Sequence, residues 1–210
     1  MIVVNYASEA YRRPERRLAN SLIKSGVRYL SFSDLPEGSP SHQESPYEFK
    51  IHAIRKAMEI DPIVLWVDSS FWLVGDIGVI ESIIVNDGYF MSEAGAWVGQ
   101  WTNDHTKKYF NLSEEEGKVP GGMSMFAAGL LGLNSNSKVA MDYFEQWHES
   151  AKAGCFKGSH ANHRHDQSAG SVIASRLGMK YQRGGQYMSY IGSGYSTPEE
   201  GSIFYLQGMA

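Results

Sequence analysis

Asp68 stands where a carboxylate can do chemistry, directly after the continuous apolar run 63–67, and Ser70 follows two residues later. A run that is apolar on both faces is typical of a central strand in a parallel sheet. Ligands of such sheets bind beyond the carboxyl ends of the strands. A carboxylate there offers hard oxygen ligands to Mg²⁺ or Mn²⁺, which often share their sites with phosphate. The simpler alternative is that Asp68 only caps a turn.

The small, apolar segment 126–133 is a second candidate, and we predict that it forms a strand. Ala127, Ala128 and Gly129 are adjacent in it. Residues this small allow a ligand or another backbone to approach closely. Tight packing within the sheet explains them at least as well, so this segment alone indicates no function.

Asp166 and Gln167 form a third candidate group, where a loop leads into a helix that we predict over 168–177. A carboxylate at this point either caps the helix or faces a hydroxyl group of a substrate. The helix cap is the simpler interpretation, and a role in binding or catalysis is the alternative.

A cluster of possible metal ligands precedes this pair: Cys155, His160, His163 and His165. His163 and His165 are spaced as in some hydrolase metal motifs, but the further ligands that such motifs need at fixed offsets are absent. We therefore expect a solvated polar loop and keep a zinc-dependent hydrolase as an alternative hypothesis. Because the sequence has one cysteine, an internal disulfide and a Cys-rich zinc site are excluded.

Alternating strand and helix patterns must position these groups. They predict an α/β fold with a mostly parallel central sheet flanked by helices. Folding of 210 residues buries roughly 70% of the surface, which suits a single compact domain over residues 1–210. A segment at 79–85 fits either a strand or a helix, and 100–123 is a polar loop with room for a short helix. The predicted strands are 2–4, 27–32, 63–67, 89–91 and 126–133, and the predicted helices are 15–24, 46–60, 138–151 and 168–177.

The composition excludes several classes of protein. With 42% apolar and 20% charged residues, the chain is unlike a disordered one. A net charge of −4 argues against nucleic acid as a partner. No uncharged apolar run approaches the length of a membrane span, and apolar residues precede the arginines at the N-terminus, the wrong order for a signal peptide. We therefore expect a cytoplasmic protein, and its oligomeric state stays open.

Taken together and in order, the three segments resemble the motifs of GT-A nucleotide-sugar glycosyltransferases, above all the glycogenin-like and bacterial galactosyltransferase-like group. The stretch Asp68-Ser69-Ser70, followed by Asp76, matches the family's Asp-x-Asp motif at a strand end. Residues 126–129 match a Phe-Asn-Ala-Gly motif, and Asp166-Gln167 matches an Asp-Gln pair that opens a helix. The resemblance implies a GT-A, Rossmann-like fold.

The resemblance covers most of residues 1–207, and 46–70 also look like a segment of small, poorly characterised relatives. Ser70 replaces the second acid of the Asp-x-Asp motif, and Ala127 replaces the Asn of the second motif. Gln207 stands about where the family has a late histidine ligand. A hydroxyl binds a hard cation more weakly than a carboxylate. A non-catalytic nucleotide- or sugar-binding protein with a decayed site is therefore an alternative hypothesis.

The resemblance implies transfer of a sugar from a nucleoside-diphosphate sugar to an acceptor hydroxyl, assisted by Mn²⁺ or Mg²⁺. The metal would be held by Asp68, Ser70 and Gln207. A departing diphosphate also needs positive side chains, for which Lys50 and Arg13 are candidates. The residues expected to bind the sugar donor are Asn5, Tyr6, Ala7, Arg13, Lys50, Asp68, Ser69, Ser70 and Gly129.

Two residues are implied in catalysis. Asp166 would be the general base of an inverting enzyme, or would orient substrates and stabilise an oxocarbenium-like state in a retaining one. Gln167 would hydrogen-bond a hydroxyl group of the sugar. Residues 1–100 would form the nucleotide-sugar side of the domain and residues 100–210 the acceptor side.

Overall fold

A mixed β-sheet forms the centre of the computed structural model, which describes residues 1–190 and 201–207. In these residues the chain forms eight strands: β1 (Ile2–Tyr6), β2 (Arg28–Phe32), β3 (Ile63–Val67), β4 (Phe71–Leu73), β5 (Tyr89–Trp97), β6 (Ser124–Asn134), β7 (Met188–Tyr190) and β8 (Phe204–Leu206). The α-helices of the same residues are α1 (Arg12–Lys24), α2 (Phe49–Met58), α3 (Gly78–Asp87), α4 (Asp104–Tyr109), α5 (Lys138–Lys152), α6 (His165–Arg176) and α7 (Gly184–Tyr187).

The central sheet has five strands in the order β2-β1-β3-β6-β5. β1 pairs in parallel with β2 and β3, whereas β6 is antiparallel to β3 and β5. All of these strands except β6 therefore run in one direction, and the predicted α/β fold with a mostly parallel sheet is confirmed. β3 is central, as predicted, but it has a parallel neighbour on one side only.

Burial on both faces, rather than strand direction, explains the apolar run of β3. Val64 and Trp66 belong to one core, which α2, α5 and α6 cover. Leu65 and Val67 belong to a second core, to which α1 and α3 contribute. Because successive side chains of a strand point to opposite faces, both sets must be apolar. The first polar residues after this buried strand, Asp68, Ser69 and Ser70, therefore lie at its carboxyl end.

A small second sheet, ordered β4-β8-β7, brings the end of the described chain to the carboxyl end of β3. β4 begins three residues after Asp68 and is antiparallel to β8. Gln207 follows β8 directly, and its backbone N–H donates to the carbonyl oxygen of Ser70 at 3.2 Å. Gln207 therefore lies beside the 68–70 motif. The sequence pattern does not predict β4 or β7, because three residues are too few for a period.

The start of α6 differs from the prediction. The helix begins at His165, three residues before the predicted start, and Ser168 accepts a hydrogen bond from the backbone N–H of Arg164 at 3.0 Å. Asp166 lies in the first turn and is buried. The expectation that Asp166 caps this helix is therefore wrong, because its side chain makes no cap hydrogen bond and Ser168 bonds the preceding N–H instead.

Two ambiguous segments are helical in the structure. Residues 79–85 lie within α3, and α4 is the short helix for which the polar segment 100–123 has room. None of the helices in the described part of the chain combines the length and the apolar character that crossing a membrane requires. Residues 191–200 and 208–210 of the expected acceptor side lie outside the described residues.

Candidate active site

A buried lysine joins all three of the predicted groups. Lys50, on α2, is 3% exposed, and its Nζ atom lies 3.0 Å from Asp166 Oδ2 and 3.3 Å from Asp68 Oδ1. The same ammonium group donates to the carbonyl oxygen of Ala128, on β6, at 3.1 Å. Lys50 therefore ties together the end of β3, the strand β6 and the first turn of α6.

The charges in this cluster depend on one another. Burial lowers the pKa of Lys50, but the charges of Asp166 and Asp68 outweigh burial and raise that pKa above its ordinary value. Burial raises the pKa of Asp166, and the charge of Lys50 opposes this rise. A buried charge is tolerated only when it is paired, so the buried Lys50 and Asp166 require each other, and Asp68 adds a second counter-charge for Lys50. With one cation and two carboxylates, the cluster can still attract a positive ion.

Asp68 is the member of the cluster that reaches the surface, and its side chain is 35% exposed. Its Oδ1 accepts a hydrogen bond of 2.7 Å from the indole N–H of Trp66, and its backbone N–H donates to the carbonyl oxygen of Gly129 at 2.9 Å. A Cβ atom on Gly129 would lie 3.0 Å from Asp68 Oδ2 and 2.9 Å from Phe71 Cε2. The carboxylate therefore has room because residue 129 is a glycine.

Two cavities meet at Asp68 and Ser70. The first has a volume of about 360 Å³ and is reached by the hydroxyl-bearing residues Ser8 and Ser69. Its walls are mainly rings, and a wall of this kind can stack a planar heterocyclic base. The ring-bearing residues that line it are Tyr6, Tyr11, His42, Tyr47, Phe49 and Trp66.

The second cavity, of about 300 Å³, lies on the other side of Asp68 and Ser70 and differs in chemistry. The Arg164 guanidinium lies 3.6 Å from the centre of the Trp101 ring in its wall. The larger side chains that line it are Trp101, Arg164, Gln167, Phe71, Met188 and Leu206. The remaining surface is built largely of small side chains. These are Ala94, Ala96, Ala127, Ala128 and Gly129.

Backbone strain marks the two segments that carry the ion pair. Tyr47, three residues before Lys50, has φ 64°, and His165, directly before Asp166, has φ 48°. Residues other than glycine seldom adopt this left-handed region, and they do so mostly where surrounding contacts enforce it. The two rings lie 5.4 Å apart, centre to centre. Sequence patterns carry no signal for this contact, and they also miss Trp101 and Arg164.

Of the three donor-binding residues expected at the end of β1, two are buried and one lines a cavity. Asn5 is buried, donates to the carbonyl oxygen of Val67 at 2.6 Å and accepts from the Ser69 hydroxyl at 3.2 Å. Ala7 is also buried. Tyr6 lines the first cavity. Asn5 therefore holds the ends of β1 and β3 together, and Tyr6 is the residue of this group that a ligand can contact.

The two expected catalytic residues lie at different depths. Gln167 lines the second cavity, whereas Asp166 is not among the residues that line either cavity described above. The side chain of Asp166 is 5% exposed and faces Lys50. Arg13 is exposed on α1 and lines neither cavity. Asp76 accepts from the backbone N–H of Gly78 at 2.8 Å and so caps α3.

Of the three expected metal ligands, Gln207 lines neither cavity, although its backbone N–H bonds Ser70. Asp68 and Ser70 line both cavities, and Oδ1 of Asp68 is already engaged by Trp66 and Lys50. The amide oxygen of Gln207 accepts a hydrogen bond of 2.8 Å from Arg17 and keeps one lone pair. Mg²⁺ is commonly bound by one or two carboxylates together with phosphate groups and water. This ligand set therefore suits a cation that binds with a phosphate rather than by itself.

The predicted solvated loop is wrong for two of the histidines. His163 and His165 are buried, and their rings lie 2.9 Å and 2.8 Å from the carbonyl oxygens of Cys155 and Phe156. Both ring nitrogens of His163 are engaged, because Nδ1 also accepts from the backbone N–H of Asn103 at 3.4 Å. Among the described residues, no group of three possible metal ligands includes His163 or His165. The geometry of this segment therefore gives the zinc-dependent hydrolase hypothesis no support.

Comparison with known proteins supports the fold assignment. No family model and no curated protein sequence matches the chain. A glycosyltransferase involved in glycosylation of the major capsid of PBCV-1 has a similar structure, with a TM-score of 0.57, 11% identity and coverage of 98% of this chain and 92% of that one. Mouse xyloside xylosyltransferase 1 has a TM-score of 0.57 and 11% identity, with 99% and 98% coverage.

The bifunctional glycosyltransferase WbbM is also similar, with a TM-score of 0.55 and 13% identity; the match covers 90% of this chain and 40% of that one. At such low identities the similarity establishes the fold and leaves the activity to be argued from the site. The chain has a GT-A-like glycosyltransferase fold.

The buried ion pair between Lys50 and Asp166 should contribute to the free energy of unfolding. Replacing Lys50 by Met leaves Asp166 buried without its counter-charge, so we expect the free energy of unfolding to fall by about 3–5 kcal/mol at neutral pH. Without Lys50 the pKa of Asp166 should rise further, and below that pKa the neutral acid carries no such penalty. The loss relative to the unsubstituted protein should therefore shrink as the pH falls towards the ordinary Asp pKa of about 3.9.

Urea unfolding at several pH values measures this loss. Lys56→Met is the matched control, because Lys56 lies on the same helix but has a side chain that is 41% exposed and pairs with Glu59 at the surface. We expect the control to change stability by less than about 1 kcal/mol. A loss for Lys50→Met that is equally small, or that does not depend on pH, would contradict the account of the ion pair.

Proposed function

We propose that this chain is a glycosyltransferase that moves a sugar from a nucleoside-diphosphate sugar to an acceptor hydroxyl. The observation that carries the proposal is the pair of cavities that meet at Asp68 and Ser70, at the carboxyl end of a central strand of a glycosyltransferase fold. One cavity suits a base and the other suits a sugar. The diphosphate that links base and sugar would then lie against the wall that the two cavities share.

The first cavity is the proposed nucleotide site. Its ring-bearing walls can stack a base, with Tyr6 and Tyr47 among them. The hydroxyl groups of Ser8 and Ser69 can bond a ribose. Among the described residues, no lysine or arginine lines this cavity. We therefore propose that selectivity for the nucleotide comes from stacking and hydrogen bonds rather than from charge.

The shared wall is the proposed diphosphate site. Asp68, Ser70 and Gln207 would hold a Mn²⁺ or Mg²⁺ ion there, and such an ion takes up negative charge that develops on the departing diphosphate. Lys50, which lines neither cavity, would hold the Asp68 carboxylate in place through its contact with Oδ1. Because Gly129 has no Cβ atom, the Asp68 carboxylate is free to face the ligand.

The second cavity is the proposed site of the transferred sugar and the acceptor. Gln167 can hydrogen-bond a sugar hydroxyl from its wall. The burial of Asp166 and its pairing with Lys50 support a positioning role, since a general base must reach the acceptor hydroxyl. We propose that Asp166 sets the position and charge of Lys50, and through Lys50 those of Asp68.

Asp68→Asn should test the proposed function most simply. We expect release of nucleoside diphosphate from the sugar donor to fall by roughly 10²–10³-fold, because the variant keeps the shape of the side chain but removes its charge. Asp76→Asn is the control, since Asp76 belongs to the same segment but is exposed and can keep its helix cap. The measurement is turnover of a panel of nucleotide sugars with Mn²⁺ or Mg²⁺.

Equal turnover by Asp68→Asn and the unsubstituted protein would refute the assignment of this site. Nucleotide binding without turnover in the unsubstituted protein would favour the decayed, non-catalytic alternative, for which Ser70 in place of an acid is the supporting observation.

Gly129→Ala should weaken binding of the nucleotide through Asp68. The added Cβ atom would contact Asp68 Oδ2 and the Phe71 ring, so the carboxylate must move. We expect roughly a tenfold loss of affinity for nucleotide plus metal, measured by calorimetry. In an Asp68→Asn background the same change should add little, because the two residues act as one unit. Additive losses would show that Gly129 acts by another route.

Turnover should also depend on the ionisation of Asp166. Burial raises the pKa of this carboxyl above its ordinary value, against the effect of Lys50. When Asp166 takes up a proton, Asp68 alone balances the charge of Lys50 and offers less negative charge to a cation. Turnover should therefore fall as the pH drops through the raised pKa of Asp166.

A pH profile of turnover measures this dependence. Asp166→Asn imitates the protonated carboxyl, so we expect its turnover to be low and to lack this acid limb. A variant with an unchanged acid limb would assign the limb to another group.

A further inference from the structure

A second group of possible metal ligands lies where α2 approaches α5. Glu48, directly before α2, and His52, one turn later on it, face His148 of α5, and one ligand atom of each lies within 4.8 Å of the others. None of the three lines either of the cavities described above. The group is therefore separate from the proposed glycosyltransferase site.

One possible ligand atom of this group is shielded from solvent but not satisfied. The side chain of Glu48 is 9% exposed and that of His52 is 16% exposed. His52 Nε2 has no hydrogen-bond partner among the residues that the structure describes, although it is shielded from solvent, and it lies 3.7 Å from Glu48 Oε1. Such a gap is too long for a hydrogen bond, and an unpaired buried polar atom is costly.

The same gap suits two ligands of one ion. With bonds of about 2.0–2.1 Å in a tetrahedral arrangement, two ligand atoms lie about 3.4 Å apart. The rings of His52 and His148 are nearly perpendicular, at 83°, with centres 5.6 Å apart. A small adjustment of side chains can therefore bring one nitrogen of each ring and one carboxylate oxygen to a common centre.

We propose that Glu48, His52 and His148 form a metal site of their own, which binds a divalent transition-metal ion such as Zn²⁺. Two imidazoles and one carboxylate are a ligand set that Zn²⁺ uses with a fourth, exchangeable position. Imidazole nitrogens favour Zn²⁺ or Co²⁺ over Mg²⁺, whereas the oxygen ligands at Asp68 favour Mg²⁺ or Mn²⁺. The chemistry of the ligands thus separates the two sites.

Arg55 competes with the metal for His148. A guanidinium nitrogen of Arg55 lies 3.2 Å from Nδ1 of His148, which accepts its hydrogen bond. A neutral imidazole has one ring lone pair, so His148 can bind Arg55 or a metal ion but not both. When the metal displaces it, Arg55 keeps its contacts of 3.2 Å and 3.3 Å with Glu145.

The position of the site gives it a structural consequence. Lys50 lies between Glu48 and His52 in the sequence, and Trp147, next to His148, donates its indole N–H to the backbone carbonyl oxygen of Asp166 at 3.0 Å. An ion at this point would join the segments that hold both partners of the buried ion pair. Metal binding should therefore stabilise the fold.

Binding of Zn²⁺ or Co²⁺ alone, without nucleotide, tests this proposal on the untagged protein. Calorimetry should give one high-affinity ion per chain, and thermal unfolding should shift upward by several degrees at saturation. The visible spectrum of bound Co²⁺ should be that of a four- or five-coordinate site. His52→Ala should remove the binding, and His105→Ala, which changes an exposed histidine on α4, should not.

Arg55→Met tests the proposal through an expected gain of Zn²⁺ affinity instead of a loss. Because it removes the competitor for the His148 lone pair, it should bind Zn²⁺ roughly tenfold more tightly than the unsubstituted protein. Absence of stoichiometric binding in both proteins would overturn the proposal. Binding that is unchanged in His52→Ala would also overturn it, since the ion would then lie elsewhere. Neither outcome bears on turnover of nucleotide sugars.

Discussion

The site depends on one buried ammonium group between two carboxylates. Lys50 Nζ lies within 3.3 Å of both Asp68 and Asp166, and it also bonds the backbone of β6. Burial alone would make the charges of Lys50 and Asp166 unstable, so these two groups persist only as a pair, and the partly exposed Asp68 adds a second counter-charge. This requirement fixes the relative positions of α2, α6 and the end of β3. Each of these elements contributes to a cavity wall, through Phe49, Gln167 and Trp66 respectively.

The sequence predicts the fold well because the strongest signals are local. The run 63–67 is buried on both faces. Such burial requires apolar residues whether the neighbouring strands are parallel, as β1 is, or antiparallel, as β6 is. The direction of β6 is set by the path of the chain, which no periodicity encodes. The pairing of β8 with β4 also joins residues far apart in sequence. Before the structure, only the family resemblance placed Gln207 near Ser70, where the structure has it.

The candidate site was predictable only in part, for the same reason. Asp68 and Gln167 follow from local patterns, because each stands where a regular element begins or ends. The depth of Asp166 does not follow, since it depends on Lys50, more than one hundred positions earlier in the sequence. The contact between Tyr47 and His165, and the contact between Trp101 and Arg164, join loops that only the folded chain brings together.

The most direct test of the account is an experimental structure of the chain with a nucleoside diphosphate and Mn²⁺, the nucleotide being chosen by its effect on thermal unfolding. The account predicts a base among the rings of Tyr6 and Tyr47, and phosphates against Asp68 and Ser70. A nucleotide bound at any other surface, with Asp68 free of ligand, would contradict it.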